Sequence, residues 1–269
     1  NPGIGNTNSI VKSNILGGPN AKFGISPENI IKCYKLSKKL GCKEYGIHMM
    51  TGSCVLDNNY WSKSIQILID NIIKIENEVD IKIKYVNIGG GIGIPYKLDE
   101  KSVNINELVD NIYNIFIKNN RELPILYMEN GRYITGPSGW LISKCNCVKK
   151  SFDSIYYGLD ACMSNLMRPG MYNSYHYISV LNKNNNDLIK ANVVGTLCEN
   201  NDWFAKERLL PLCNENDIFI IHDVGAHSHS MGFQYNGKLR SSEILYTKNN
   251  EFKIIRKKET FNDYLINII

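Results

Sequence analysis

A chain of 269 residues with 43% hydrophobic and 21% charged side chains has an ordinary globular composition, long enough for one large domain or two smaller ones. The formal net charge of +5, from 31 basic and 26 acidic residues, is spread along the chain without a Lys/Arg block interleaved with aromatics, which argues against a nucleic-acid partner. No apolar run approaches the ~18 residues that a membrane span needs, so no membrane partner is expected.

In chain order, Ser26-Pro27-Glu28 predicts a helix start: an N-cap serine, a proline at the first helical position and an acid in the first turn. That helix is expected to reach about Leu40, with Gly41 ending it. Residues 43–50, "KEYGIHMM", predict a strand. Over 59–79, Trp61, Ile65, Leu68, Ile72 and Ile75 share one helical face. Residues 81–88 predict a second strand. Leu108, Val109, Ile112, Ile115 and Phe116 mark another helix, and residues 124–130 a third strand. This alternation predicts an α/β unit with parallel strands over 1–140. From 141 to 269 the pattern becomes short β-branched and aromatic runs separated by turn residues, which predicts an antiparallel β domain with one short helix near 202–208. A complete (β/α)8 barrel takes about 250 residues. The α/β part is too short for that and opens on "NPGIGN" without a starting Met, so it reads as the second half of something larger.

Eight cysteines are scattered without CxxC spacing, and the pair Cys145 and Cys147 has no second ligand pair nearby. No metal centre is therefore expected. The thiols read as reduced, in a cytoplasmic setting, with organellar targeting left open.

Three strand ends carry the chemistry. "VNIGGGIGIPY" (86–96) places glycines just after a strand. Its spacing fits neither a Walker loop nor a dinucleotide fingerprint. Glycines at a strand's end let backbone N–H groups converge on an anion, although a tight turn alone explains a lone run. "MENGRYITGPSG" (128–139) brings Glu129 and Arg132, suited to a ligand with a basic ring nitrogen and a phosphate; a surface ion pair is the plainer reading. "HMMTGS" (48–53) ends the preceding strand with a Gly-Ser donor pair. In a barrel such ends lie on one face.

These segments, together with "KFGI", "GLDACMSNLMRPGMY", "VVGTLCENND" and "HDVGAHSHSMGFQYNGKLRSSE", occur in the order found in the diaminopimelate decarboxylases, and the whole chain resembles that family. The resemblance implies an alanine-racemase-like (β/α)8 barrel, here its second half, followed by a C-terminal β-barrel or sandwich domain. It also implies pyridoxal 5'-phosphate as cofactor, meso-2,6-diaminopimelate as substrate, lysine and carbon dioxide as products, and a homodimer with shared active sites. Gly89, Gly90 and Gly91 would cradle the cofactor phosphate with Ser53. Glu129 would keep the pyridine nitrogen protonated. Arg132 would contact substrate or phosphate. Arg168 and Tyr172 would bind a substrate carboxylate, for which an arginine fork is suited. Cys198, as proton donor, and Glu199, facing the distal ammonium, would serve the partner subunit's site. Tyr235 lies in the region that would close the cofactor pocket.

Departures from the common family pattern occur at several positions. Met50 stands where a histidine often stacks on the cofactor ring; a thioether can pack there too. His227 stands where a tyrosine is usual and could still donate to phosphate, and Asn130 replaces a common proline. The cofactor-anchoring lysine belongs to the first barrel strand, and neither Lys82 nor Lys84 matches it, so the 269 residues alone are expected to be inactive. Two other readings stay open here: a non-catalytic homologue that regulates a decarboxylase, and a decarboxylase of ornithine, arginine or carboxynorspermidine.

Overall fold

The computed structural model describes residues 1–7, 16–184 and 186–269. The chain divides into two compact units, Asn1–Thr135 and Gly136–Ile269.

In the first unit the elements are β1 (Asn6–Thr7), α1 (Ile30–Lys39), β2 (Tyr45–His48), β3 (Gly52–Ser53), α2 (Asn58–Val79), β4 (Ile83–Asn87), α3 (Ile105–Lys118), β5 (Ile125–Tyr127) and α4 (Gly131–Thr135). Strands β2, β4 and β5 pair in parallel in the order β2-β4-β5, and β1 pairs in parallel with β3. The α2 stripe does what its spacing dictates. Trp61, Ile65, Leu68, Ile72 and Ile75 are all buried in one cluster with Ile47, Val86, Leu108, Ile112 and Phe116. Each such aliphatic side chain contributes about 1.5–3 kcal/mol on burial. Val109 instead lies on the exposed side of α3, because the α3 stripe follows positions 108, 112 and 116. Caps fix the helix starts: Asp57 accepts the Asn59 N–H at 2.9 Å and Asn104 accepts the Glu107 N–H at 3.2 Å.

The first helix begins later than Ser26-Pro27 suggests. A turn closed by the Asn29 N–H to the Ser26 carbonyl precedes it, and α1 starts at Ile30. Gly41 does follow its end, at φ +87°. Helices cover one face of the β2-β4-β5 sheet. On the other, Gly46, His48, Tyr85, Asn87 and Tyr127 line an open cavity of roughly 450 Å³.

The second unit holds β6 (Leu141–Ser151), β7 (Ser154–Leu159), α5 (Arg168–Tyr172), β8 (Ile178–Val180), β9 (Leu188–Val194), β10 (Trp203–Pro211), β11 (Ile218–Ile221), β12 (Glu243–Tyr246), β13 (Phe252–Arg256) and α6 (Phe261–Leu265). Six strands form one sheet in the order β10-β9-β7-β6-β11-β8, and its edge strands β10 and β8 approach each other, so the sheet is nearly closed. Its pairings are antiparallel except β7 with β9, which is parallel. Residues 203–211 are therefore a strand, not the short helix that "WFAKERLL" suggests. Pairing with β9 wins over local propensity. Two register shifts in that ladder, with Glu207 at φ +44°, give the bulged strand its irregular spacing. The core is built on Tyr157, Leu159, Phe204, Phe219 and Ile221, and the buried Tyr157 hydroxyl is satisfied by the Pro211 carbonyl and the Cys213 N–H. Among the described residues no helix is long and apolar enough to cross a membrane.

Candidate active site

In the first unit the side chains singled out by the sequence gather at the C-terminal ends of the parallel strands. Glu129, two residues past β5, accepts a hydrogen bond from Asn87 Nδ2 at 2.6 Å. His48 Nε2, from the end of β2, lies 3.8 Å from the same Glu129 oxygen, and both side chains are about half exposed. Asn87 also accepts the Gly89 N–H at 2.8 Å, so one asparagine orients both the carboxylate and the start of the glycine turn.

The glycines answer to their own neighbours. Gly89 and Gly91 have φ +71° and +102°, the left-handed region that favours glycine. A Cβ on Gly90 would lie 2.1 Å from the Glu129 carbonyl oxygen, and one on Gly91 2.1 Å from the Gly52 carbonyl oxygen. Side chains are absent because three strand-end loops converge at backbone distance. Gly90→Ala is expected to destabilise the protein by about 1–3 kcal/mol, with a matching fall in thermal midpoint; an unchanged midpoint would mean that the loops have room to part.

Met50 sits inside this convergence, its sulfur 3.1 Å from the Gly90 nitrogen. Asn130 Oδ1 accepts the Ile92 N–H at 3.2 Å, tying the β5 loop to the glycine turn. Ser53 lies on β3, partly buried, opposite Thr7. Arg132, on α4, donates to the Tyr96 hydroxyl at 2.8 Å with its guanidinium over that ring. The residue that closes "GGGIGIPY" thus holds the arginine. Lys84 is engaged elsewhere, in a 2.6 Å exposed ion pair with Glu44.

The second unit gathers a second set. Asp202 is buried, and burial pushes its carboxyl above the usual carboxylate range against the opposing pull of its backbone donors. It accepts the N–H groups of Leu197 at 2.7 Å and Met163 at 2.6 Å, which folds the 195–202 loop around it. A Cβ on Gly195 would fall 2.3 Å from that carboxylate. The loop presents an exposed Cys198 thiol and Glu199, whose carboxylate accepts two hydrogen bonds from Asn201. Asn236 accepts the Cys198 N–H at 2.8 Å, so the turn carrying Tyr235 is joined to the same loop. Gly170 of α5 packs so closely that a Cβ would lie 2.2 Å from the Asn201 carbonyl oxygen, which brings Arg168 and Tyr172 onto an element seated against it. Arg168 is buried, and its Nη1 meets His176 Nε2 at 2.6 Å. His227 is exposed at φ +60°. Asn87, Tyr96 and Asp202 lie within the quoted motifs "VNIGGGIGIPY" and "VVGTLCENND" but carry no role that the motifs announce, and His176 lies outside every motif.

A family model for the pyridoxal-dependent decarboxylases, C-terminal sheet domain, matches residues 33–225. The chain belongs to the pyridoxal-dependent decarboxylase family. Among the relatives of the chain, the diaminopimelate decarboxylase of Methanothermobacter thermautotrophicus is 34% identical over 256 residues, covering 93% of this chain and 59% of that protein. Protein TabA of Pseudomonas amygdali pv. tabaci is 37% identical over 258 residues, covering 95% and 61%. The crystal structure of the Methanocaldococcus jannaschii diaminopimelate decarboxylase in complex with L-lysine superposes with a TM-score of 0.85 at 30% identity, covering 98% of this chain and 62% of that one. The chain spans about three fifths of the length of the curated relatives it matches.

Proposed function

We propose that the full-length protein decarboxylates meso-2,6-diaminopimelate to L-lysine and carbon dioxide with pyridoxal 5'-phosphate. The observation that carries this reading is the Glu129 carboxylate, half exposed at the mouth of parallel strands and oriented by Asn87 beside His48. That donor set fits a pyridine ring: a carboxylate held in place by an amide donor is a suitable ion-pair partner for a protonated ring nitrogen. The glycine turn fits a phosphate, since among the described residues the Gly90 N–H meets a thioether, a weak acceptor that an oxyanion outcompetes. Two relatives bearing the name diaminopimelate decarboxylase support the substrate.

When bound, pyridoxal phosphate supplies an electron sink for the charge left as carbon dioxide departs. Glu129 holds the ring nitrogen's proton by an ion pair. Gly89, Gly90, Gly91 and Ser53 bind the phosphate, and Met50 supports the ring. Arg168 and Tyr172 bind the distal carboxylate, Arg132 assists at the substrate or the phosphate, and Cys198 Sγ returns a proton to the product carbon. Retention of Arg168, Tyr172 and Glu199 argues against a purely regulatory subunit, which has no need to read a substrate. The β2-β4-β5 sheet, with helices on one face and Tyr85, Ile125 and Tyr127 exposed, suits the second half of a (β/α)8 barrel whose remaining strands, with the anchoring lysine, lie outside these residues. The expected setting is the cytoplasm. In the test, purified full-length protein should show a visible cofactor band that borohydride removes, and it should release carbon dioxide from diaminopimelate. Protein with neither property ends the proposal.

The functional unit is a homodimer in which Cys198 and Glu199 serve the partner subunit's site. Glu129→Ala and Glu199→Ala variants, each nearly inactive, are therefore expected to regain up to about a quarter of wild-type activity when mixed and allowed to exchange subunits, because one of the two sites in the mixed dimer carries neither change. A mixture that exchanges subunits, yet stays as inactive as its parents, removes the shared-site arrangement.

A further inference from the structure

His176 was not part of any motif, yet it is fully buried and sits where several elements meet. Its Nε2 is 2.6 Å from Arg168 Nη1 on α5, and its Nδ1 is 2.8 Å from the His222 carbonyl oxygen just after β11. Its own carbonyl accepts Arg208 Nη1 of β10 at 2.9 Å, and Arg208 is braced in turn over the Tyr175 ring at 3.8 Å. Arginine is always a donor, so Nε2 must present its lone pair. Nδ1 then carries the proton and donates to the His222 carbonyl, which acts as acceptor only. The tautomer is thus set from both sides, and the imidazole is neutral.

That neutrality has a consequence. A carboxylate at position 176 would hold Arg168 equally well but would bring a countercharge against it. A neutral acceptor fixes the direction of Nη1 and adds no negative charge to compete with an incoming anion. We infer that His176 is the positioning residue for Arg168, aiming its guanidinium for a carboxylate-bearing substrate without neutralising it. The inference rests on the proposed reading of Arg168 as the group that binds the distal carboxylate.

Two isosteric changes in the full-length holoenzyme separate positioning from mere packing. His176→Gln places an acceptor near the former Nε2 and gives up the Nδ1 donor. His176→Asn keeps a donor near the former Nδ1 and gives up the acceptor that faces Arg168. With meso-diaminopimelate, His176→Asn is expected to raise KM roughly 10- to 100-fold, the weight of one hydrogen bond to a charged group, with kcat changed less than about threefold. His176→Gln should recover most of that loss. A residue that only fills the core predicts the reverse or no difference, since both variants leave one buried hydrogen bond unmade. Equal KM values for the two variants, or a larger defect in His176→Gln, overturn the inference. Should His176→Asn fail to fold by thermal unfolding, His176→Gln decides alone, and a KM raised by about 10-fold or more overturns it. Failure of the underlying reading shows in the wild type, as absence of turnover on diaminopimelate, and takes the inference with it; failure confined to the variants leaves the proposed function standing.

Discussion

Glu129→Gln in the full-length enzyme is expected to lower kcat on diaminopimelate by roughly 10²–10³-fold, the cost of removing one group that stabilises developing charge in a protected site. The change is nearly isosteric. The side-chain oxygen can still accept from Asn87 Nδ2, which now stands 2.6 Å from Glu129 Oε1, so the β5 loop and the glycine turn should keep their places. What disappears is the negative charge. A neutral amide cannot hold a proton on a ring nitrogen by ion pairing, and the ring then withdraws electrons poorly. Cofactor content, read from visible absorbance, should stay near wild type, because the phosphate contacts are proposed for other residues. Asn87→Ala tests the same device from behind. It frees Glu129 to rotate and leaves the Gly89 N–H without its acceptor, so a smaller kcat loss with some loss of stability is expected. Near-normal kcat in Glu129→Gln, with cofactor bound, would remove Glu129 from the chemistry.

The parts of this arrangement that were legible in the sequence are those that local physics decides. The α2 stripe from Trp61 to Ile75 announces its buried face because a period of 3.6 survives any tertiary context. The alternation of strand and helix up to β5 is legible because short apolar, β-branched runs bounded by turn residues separate the helical stretches. Residues 203–211 were not, since "WFAKERLL" carries apolar residues at spacings compatible with a helix, and only the ladder to β9, with its bulges, makes it a strand. The glycines show a different limit. Their presence signals a close approach, and the sequence cannot say by what; the structure answers with the carbonyls of Glu129 and Gly52. Arg168 could be picked out by motif, whereas its holder His176, eight residues on, could not. A buried pairing between an arginine and a neutral imidazole leaves no periodic or spacing signal.

Substrate choice should turn on Arg168. Diaminopimelate carries a second carboxylate that lysine and ornithine lack. A site that pairs that group leaves a desolvated cation unmatched when a smaller analogue binds, at a cost on the order of 2–5 kcal/mol, or roughly 30- to several-thousand-fold in kcat/KM. Arg168→Ala should therefore cut kcat/KM on diaminopimelate by that factor while the cofactor stays bound. Part of any stability change must be set aside: Arg168 is buried, and its removal strips the His176 Nε2 acceptor of its donor, a loss of about 1–3 kcal/mol in folding. Arg168→Lys separates the two. It keeps a positive charge at the site but cannot form the two-pronged contact of a guanidinium with a carboxylate, so kcat/KM should fall to a value between wild type and Arg168→Ala with less loss of stability. The discriminating measurement is the ratio of kcat/KM for diaminopimelate to that for ornithine in wild type and both variants. The ratio should be large in wild type and collapse in Arg168→Ala, because the alanine variant has nothing left with which to tell the two substrates apart. A wild type that turns over ornithine as readily as diaminopimelate would mean that Arg168 reads no second carboxylate, and the substrate would then have to be sought among the basic amino acids that carry only one.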